Sequence, residues 1–396
     1  MSPEELPFLA HIVVRVVEEE VVVGRPYAFT FWHGVSGTPA YIEMCLETHH
    51  RVLRDDFEVV CLDADSVAEW VPEHELLWSA ATPVEQANSF SLPARHVAMF
   101  TGMVRVGLLA RCGGLWVDAD MLALPPLRLL APLIDEYDLV CGELQSGGIS
   151  NGVLGARPGS RFIATYWETI LERARAKTAR GEGARWGEFG VYMLTDVFLR
   201  HGDENTWVAP WGAFDNLNWR LPRPTFEPGT GIETLPPFAM DVCIFNNATA
   251  ADVRERTKAD LLAEKTIFSE GYRVAMGQKV SPHLALRTTE QLRSLNRANL
   301  VWHSLREVRN AKRANSKLRR SVERLEVDLA QRTEQRDVAR RRLRRARRRA
   351  AALEAELAGA RRRRAGLRRR VGAVRRKIRT TLAKATRRVV PSGQGE

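Results

Sequence analysis

An α/β domain with a mostly parallel central sheet, continued by a long basic coiled coil, is what this sequence of 396 residues predicts. Three observations carry that prediction. Short apolar runs alternate with longer helix-patterned segments from Tyr27 to about residue 180, as strands and crossover helices do. The charge changes sign near residue 305: residues 305–390 hold about 32 Lys and Arg against about 8 Asp and Glu, leaving residues 1–304 at about −12. A 4–3 apolar spacing then runs from Leu318 to Ile378.

Residues 9–23 are rich in β-branched side chains and fit a strand pair or a short helix. Tyr27–Trp32 is a compact apolar run that predicts a buried strand, ending at His33-Gly34. From Pro39 to Leu53 the pattern is helical, with Ile42, Leu46 and Val52 near one face, and Phe57–Leu62 predicts the next strand. A helix over about 93–111 leads into Gly113-Gly114 and a short strand, Leu115-Trp116-Val117. Leu139–Cys141 and Val153–Ala156 read as further strands, with a helix over about 160–180. Residues 200–300 carry Pro, Gly and Asn clusters and little periodicity.

The expected divisions are a segment 1–24, a catalytic-type domain 25–304, a basic coiled coil 305–385 and a disordered tail 386–396. The coiled-coil seam is interrupted by Arg332, Arg336 and Arg364, and its Ala, Leu and Arg layers do not specify a strand number. A helix of this length has no core of its own, so self-association into a homo-oligomer is expected. Arg clusters such as 340–349 also suit docking on an anionic membrane surface. The tail lacks aromatic residues for base stacking, so specific nucleic-acid recognition is not expected. The five Cys (45, 61, 112, 141 and 243) show no CxxC pair and mostly sit in apolar runs, as small core residues of a reducing compartment do. The first residues lack a basic n-region and an apolar h-region, and a cytoplasmic protein is expected.

The sharpest chemical signal is Gly113-Gly114-Leu115-Trp116-Val117-Asp118-Ala119-Asp120. A short apolar strand delivers two carboxylates one residue apart, and on an extended backbone they would face the same side. Two hard oxygen ligands suit one Mn²⁺ or Mg²⁺ that also holds a diphosphate. Arg105 lies on an apolar helix, where a guanidinium needs a partner or a function. Aspartate-nucleophile phosphatases also use Asp-x-Asp after a strand. They place it near the start of the domain, however, whereas here it lies beyond residue 110.

The run from Arg105 to Asp120 resembles the signature of a glycosyltransferase group that includes initiating mannosyltransferases, bacterial capsular polysaccharide synthesis transferases and clostridial glucosylating toxins. Phe31-Trp32-His33-Gly34 with Pro39–Ile42 is similar to that group's first strand and helix, and Gly147–Pro158 to its Ser-Asn segment. The resemblance spans about residues 27–200. It implies a GT-A fold and transfer of a hexose, with retention of configuration, from a UDP- or GDP-linked donor to a hydroxyl of a glycan or other acceptor. Surface or capsular polysaccharide synthesis is the implied setting. Residue by residue, it implies that Asp118 contacts the ribose and the metal and that Asp120 is the main metal ligand. Arg105 would reach the donor sugar or its phosphates, and Gly113 and Gly114 would be among the donor-binding residues. Asn151 would bind sugar hydroxyls, and Phe31, Trp32 and His33 would border the base. A third metal ligand would come late in the domain, from His283 or, less simply, His303, which adjoins the coiled coil. Trp186–Gly190 reads as an acceptor-side loop with Glu188 as a candidate base. Where the group has an Asp three residues before the Arg, this sequence has Gly102, which favours the alternative of a degenerate transferase domain serving as a scaffold for the basic arm.

Overall fold

The computed structural model describes residues 24–33, 37–81, 92–145, 147–202, 205–214, 216, 223–245, 253–331, 347–349 and 351–356. Contacts divide the chain into two units, Met1–Ala298 and Asn299–Glu396. The expectations for residues 9–23, for Gly34, for most of the tail beyond 331 and for 386–396 lie outside the described residues.

In the first unit, β1 (Tyr27–Phe31), α1 (Ala40–Leu53), β2 (Glu58–Leu62), α2 (Val67–Trp70), α3 (His74–Ala80), α4 (Leu92–Cys112) and β3 (Gly114–Val117) follow in order. Then come β4 (Met121–Ala123), α5 (Ala131–Glu136), β5 (Leu139–Glu143), β6 (Ile149–Ala156), α6 (Arg161–Arg180), α7 (Met193–His201) and β7 (Thr206–Ala209). The unit closes with β8 (Asp241–Cys243), α8 (Lys258–Ala263), α9 (Ile267–Ala275) and α10 (Thr289–Arg293). Six strands form one sheet in the order β2-β1-β3-β6-β5-β7. β1 runs parallel to β2 and β3, and β5 parallel to β7, while β6 is antiparallel to both of its neighbours. The sheet is thus mostly parallel, as expected, with one reversed strand. β4 and β8 pair as a separate antiparallel ribbon.

The Gly-Gly turn has a packing cause. Gly113 and Gly114 both hold positive φ, at 66° and 97°. A Cβ at 113 would lie 2.5 Å from the Pro158 nitrogen, and one at 114 would lie 2.3 Å from the Tyr27 carbonyl oxygen. Only glycine lets β3 start this close to β1 and to the end of β6.

The stretch 200–300 is more ordered than its composition suggests. Thr257, Thr266 and Thr288 each open a helix with a capping box, closed by Asp260, Ser269 and Gln291. These three Thr-x-x-polar spacings are the signal that reading by apolar periodicity alone passes over. The exposed edge of β7 is covered by residues 296–298: the Asn296 amide donates to the Thr206 carbonyl, its Oδ1 accepts from Val208 N–H, and Arg297 N–H donates to the Val208 carbonyl.

The second unit carries α11, Ala298–Gln331, with Arg306 lying 4.8 Å over the Trp302 ring. Helix therefore begins seven residues before the expected boundary at 305 and reaches into the 4–3 repeat.

Candidate active site

The C-terminal ends of parallel strands are where open α/β sheets bind ligands. β1 and β3 pair with Phe29 opposite Trp116, so continuing the register by two residues brings Phe31 level with Asp118. On the other side, β3 and β6 pair with Val117 opposite Val153, and Asp118 N–H donates to the Gly152 carbonyl at 2.9 Å. Phe31, Asp118 and Asn151 therefore meet along one edge of the sheet, although 120 residues separate the first from the last.

Asp118 is the centre of a built cluster. Arg105 Nη2 pairs with its Oδ1 at 2.9 Å, and Trp116 Nε1–H donates to the same oxygen at 2.7 Å. The Arg105 guanidinium lies 5.0 Å over the Trp116 ring and donates from Nη1 to the Asn151 carbonyl. Arg105 is buried, and its Nε finds no partner among the described residues. Burial pushes the Asp118 carboxyl above the ordinary carboxylate range, while Arg105 and the Trp116 N–H pull the other way. A Cβ on Gly152 would stand 3.5 Å from Asp118 Oδ2 and 2.5 Å from the Met121 methyl, so glycine keeps that flank of the carboxylate narrow.

The two carboxylates are not presented on an extended strand. β3 stops at Val117, and Met121 N–H donates to the Asp118 carbonyl at 3.0 Å, closing a turn over Asp118–Asp120. The chain must leave the main sheet here to enter the β4–β8 ribbon, and Ile244 N–H donates to the Asp120 carbonyl from the far side at 2.9 Å. α1 clamps the ribbon from beneath. Ala123 N–H donates to Thr48 Oγ1 at 2.9 Å, and His49 Nε2 contacts the Met121 carbonyl at 2.6 Å. His49 is buried, and burial lowers its pKa to about 4 despite that contact. The burial-raised thiol of Cys45 and phenol of Tyr41 both feel Asp120, and Tyr41 also feels Arg254. Thr48 and His49 are positioning residues that sequence reasoning missed, because nothing local marks a helix C-terminus as the support of a turn 70 residues away.

The other expected residues fall as follows. Trp32 N–H donates to the Leu62 carbonyl, extending the strand pairing past Phe31, and its buried Nε1 finds no acceptor among the described residues. His33 follows it in the chain, half-buried. The Asn151 amide faces Gly190, where a Cβ would lie 2.8 Å from Nδ2. His283 Nε2 is engaged with the Leu235 carbonyl, and His303 is exposed on α11 beside Trp302. Glu188 pairs with Lys177 at 3.0 Å and Arg173 at 3.1 Å and accepts from Arg185 N–H, so it anchors its loop. Among the described residues, no group of three or more His, Cys, Asp or Glu side chains is placed to hold a metal.

Residues 17–133 match the family model described as Capsular polysaccharide synthesis protein. The match includes α1, Arg105 and the Asp118–Asp120 turn, and it covers less than a third of the chain. Its description names one branch of the glycosyltransferase group that the 105–120 run resembles, and the resemblance to that group stands. No curated protein matches the chain. Among solved structures, PaToxG Glycosyltransferase is similar over 64% of this chain and 87% of that one, at 10% identity and a TM-score of 0.31. A likeness at that level decides nothing about fold or function. Among the described residues no helix is long and apolar enough to cross a membrane.

Proposed function

We propose that residues 25–304 form a GT-A-type, metal-dependent glycosyltransferase domain that moves a hexose from a UDP- or GDP-linked donor to an acceptor hydroxyl, with retention of configuration, in surface or capsular polysaccharide synthesis. The observation that carries this reading is the Arg105–Trp116–Asp118 cluster at the mouth of a parallel sheet. There Arg105 and the Trp116 N–H lock Asp118 in place directly before a second carboxylate, Asp120, on a closed turn.

The donor set suits a hard cation. Asp118 Oδ1 is engaged by Arg105 and Trp116, and Asp118 Oδ2 together with the Asp120 carboxylate would hold Mn²⁺ or Mg²⁺. Mg²⁺-type sites commonly use one or two carboxylates and take their other ligands from phosphates and water. Such an ion supplies charge neutralisation for a departing nucleoside diphosphate. A third protein ligand is not required, and His283 is already engaged with the Leu235 carbonyl.

The chain's own residues do the rest. Arg105 fixes Asp118 in one rotamer and would bring positive charge to the donor phosphates without reorganising during the reaction. Its contact with the Asn151 carbonyl ties the β6 end, and with it the Asn151 amide, to the same centre. Phe31, Trp32 and His33 would border the base, with the Trp32 Nε1–H available as a donor. Gly113 and Gly114 act through the backbone, by setting the start of β3. The basic arm would oligomerise the enzyme and dock it at the inner face of an anionic membrane in the cytoplasm.

Calorimetric titration of the full chain with UDP and GDP, with and without Mn²⁺, tests the reading. Mn²⁺-dependent binding that disappears in Asp120→Asn is the expected result, and no binding of either nucleotide refutes it.

One observation keeps the scaffold alternative in play. At Gly102, where the related group has an Asp, an added Cβ meets nothing within 4 Å. Among the described residues nothing stands where a side chain at 102 would begin. Gly102→Asp is expected to fold normally and to change the preferred donor sugar in a donor-hydrolysis assay. A domain that stays without hydrolysis or Mn²⁺-dependent binding in both forms is a scaffold.

A further inference from the structure

Trp186 and Tyr192 are large exposed side chains only six residues apart, at 39% and 68%. They bracket the π turn Glu188–Tyr192, which leans on the candidate site through two contacts. Gly190 backs onto the Asn151 amide. Tyr166 O–H donates to the Phe189 carbonyl at 2.8 Å and to that of Gly190 at 3.3 Å, within the electrostatic reach of Arg105. The turn therefore approaches Asn151 from the β6 side of β3. The strand end proposed to border the nucleotide lies on the β1 side.

The turn is also tethered by ion pairs and hydrogen bonds. Glu188 ties it to α6 through Lys177 and Arg173, and Lys177 Nζ donates to the Gly183 carbonyl at 2.9 Å. Gly187 holds φ at 75°, and a Cβ there would stand 2.9 Å from the Tyr192 ring. Glycine thus lets the phenol ring lie against the backbone directly after Trp186, while Tyr192 N–H donates to the Gly187 carbonyl at 3.2 Å. Aromatic rings on a tethered turn bind at little cost in side-chain entropy, and Trp and Tyr each have an apolar face with a polar tip. A pyranose ring is complementary to that arrangement, because its C–H face is apolar and its rim is hydroxyl.

We propose that Trp186 and Tyr192 form an acceptor subsite that stacks a pyranose ring of a glycan and presents it toward Asn151. The proposal rests on the glycosyltransferase reading and adds the class of acceptor, a pyranose oligosaccharide held by ring stacking.

The test is saturation-transfer NMR on the full chain. The probes are tetrasaccharides of α-1,4-glucose, β-1,4-N-acetylglucosamine and α-mannose, and oligomeric mass is measured on each sample. At least one sugar is expected to bind. Trp186→Ala and Tyr192→Ala should each weaken that binding about tenfold. Trp186→Phe, which keeps a ring, should retain most of it, and Gly187→Ala should behave like Tyr192→Ala by displacing the phenol. The proposal is overturned if none of the sugars binds the wild-type chain. It is equally overturned if the Ala variants bind as well as wild type, or if they change oligomeric mass with sugar binding intact, which would make the rings a contact between copies. Mn²⁺-dependent UDP and GDP binding is read on the same samples. Its absence in wild type strikes the donor reading alone, and Trp186 or Tyr192 variants that keep it while losing sugar separate the two sites.

Discussion

Removing Arg105 would leave Asp118 half-desolvated beside an indole with no counter-charge. Losing one partner of a buried pair costs about 3–5 kcal/mol, and Asp118 retains some contact with water, so Arg105→Ala should cost about 3 kcal/mol in urea unfolding. Lys at 105 supplies the charge but not the fork that reaches both Asp118 and the Asn151 carbonyl, so Arg105→Lys should recover only part of that loss. An unfolding midpoint for Arg105→Ala equal to wild type would show the pair to be without structural weight. His49 makes a separate prediction. Its folded pKa of about 4 lies below the ordinary 6.5, so the unfolded chain binds the extra proton first as pH falls. Stability contributed by neutral His49 is thus complete above 6.5 and is lost as pH drops toward 4, amounting to about 3 kcal/mol. His49→Gln should flatten that part of the pH–stability curve, and parallel curves for the two proteins would refute the assignment. Phe245 carries the one positive φ of a non-glycine side chain among the described residues, at 55°, directly after the Ile244 amide that holds the Asp120 carbonyl. Such strain beside a candidate site is consistent with a turn shaped for function.

Among the elements, the ribbon β4–β8 and the edge strand β7 depend most on single side chains. Asn296 makes three hydrogen bonds around β7: it accepts from Val208 and Ala298 N–H and donates to the Thr206 carbonyl. At about 1 kcal/mol each, Asn296→Ala should cost about 2–3 kcal/mol. It should also release a sheet edge, so concentration-dependent aggregation in light scattering is expected beside the loss in thermal unfolding. Ser160 caps α6 by accepting from Ile163 N–H at 3.1 Å and also donates to the Asp138 carbonyl at 2.6 Å. Ser160→Ala should lower stability by about 1–2 kcal/mol in denaturant unfolding, and an unchanged midpoint would show the cap to be redundant. The element reading from periodicity located β1, α1, β2, α4, β3 and α6 to within about two residues. It missed β4, β7 and β8, which are three or four residues long and too short to show a period.

For the whole molecule, the charge asymmetry is the distinguishing property. About −12 on residues 1–304 and about +24 on 305–390 separate an acidic body from a basic arm, whatever the geometry between them. The full chain should sediment with vesicles containing phosphatidylserine at low ionic strength and be released by high salt, because such attraction is screened over a Debye length. Binding that persists unchanged at high salt would point to a hydrophobic contact instead. The 4–3 repeat further predicts a sedimentation mass of at least two chains, and a monomer at all concentrations would make the arm a single solvated helix.

The sequence by itself determined the class of fold, the carboxylate pair and the charged arm. These rest on local pattern: strand and helix periods, a Gly-Gly step, two Asp one residue apart, and a heptad. It also exposed Arg105 as a cation on an apolar helix that required a partner. Only the tertiary structure decided that the partner is Asp118, that Trp116 completes the cluster, and that Asp118–Asp120 is a turn leading into a ribbon strand held by Thr48 and His49. It likewise showed Glu188 anchoring its loop and left Trp186 and Tyr192 exposed at either end of the turn whose Gly190 backs onto Asn151. The physical reason is range. A period or a motif is written within a dozen residues, whereas the partner of a buried charge is set by which strands lie side by side, and that order is a property of the whole sheet.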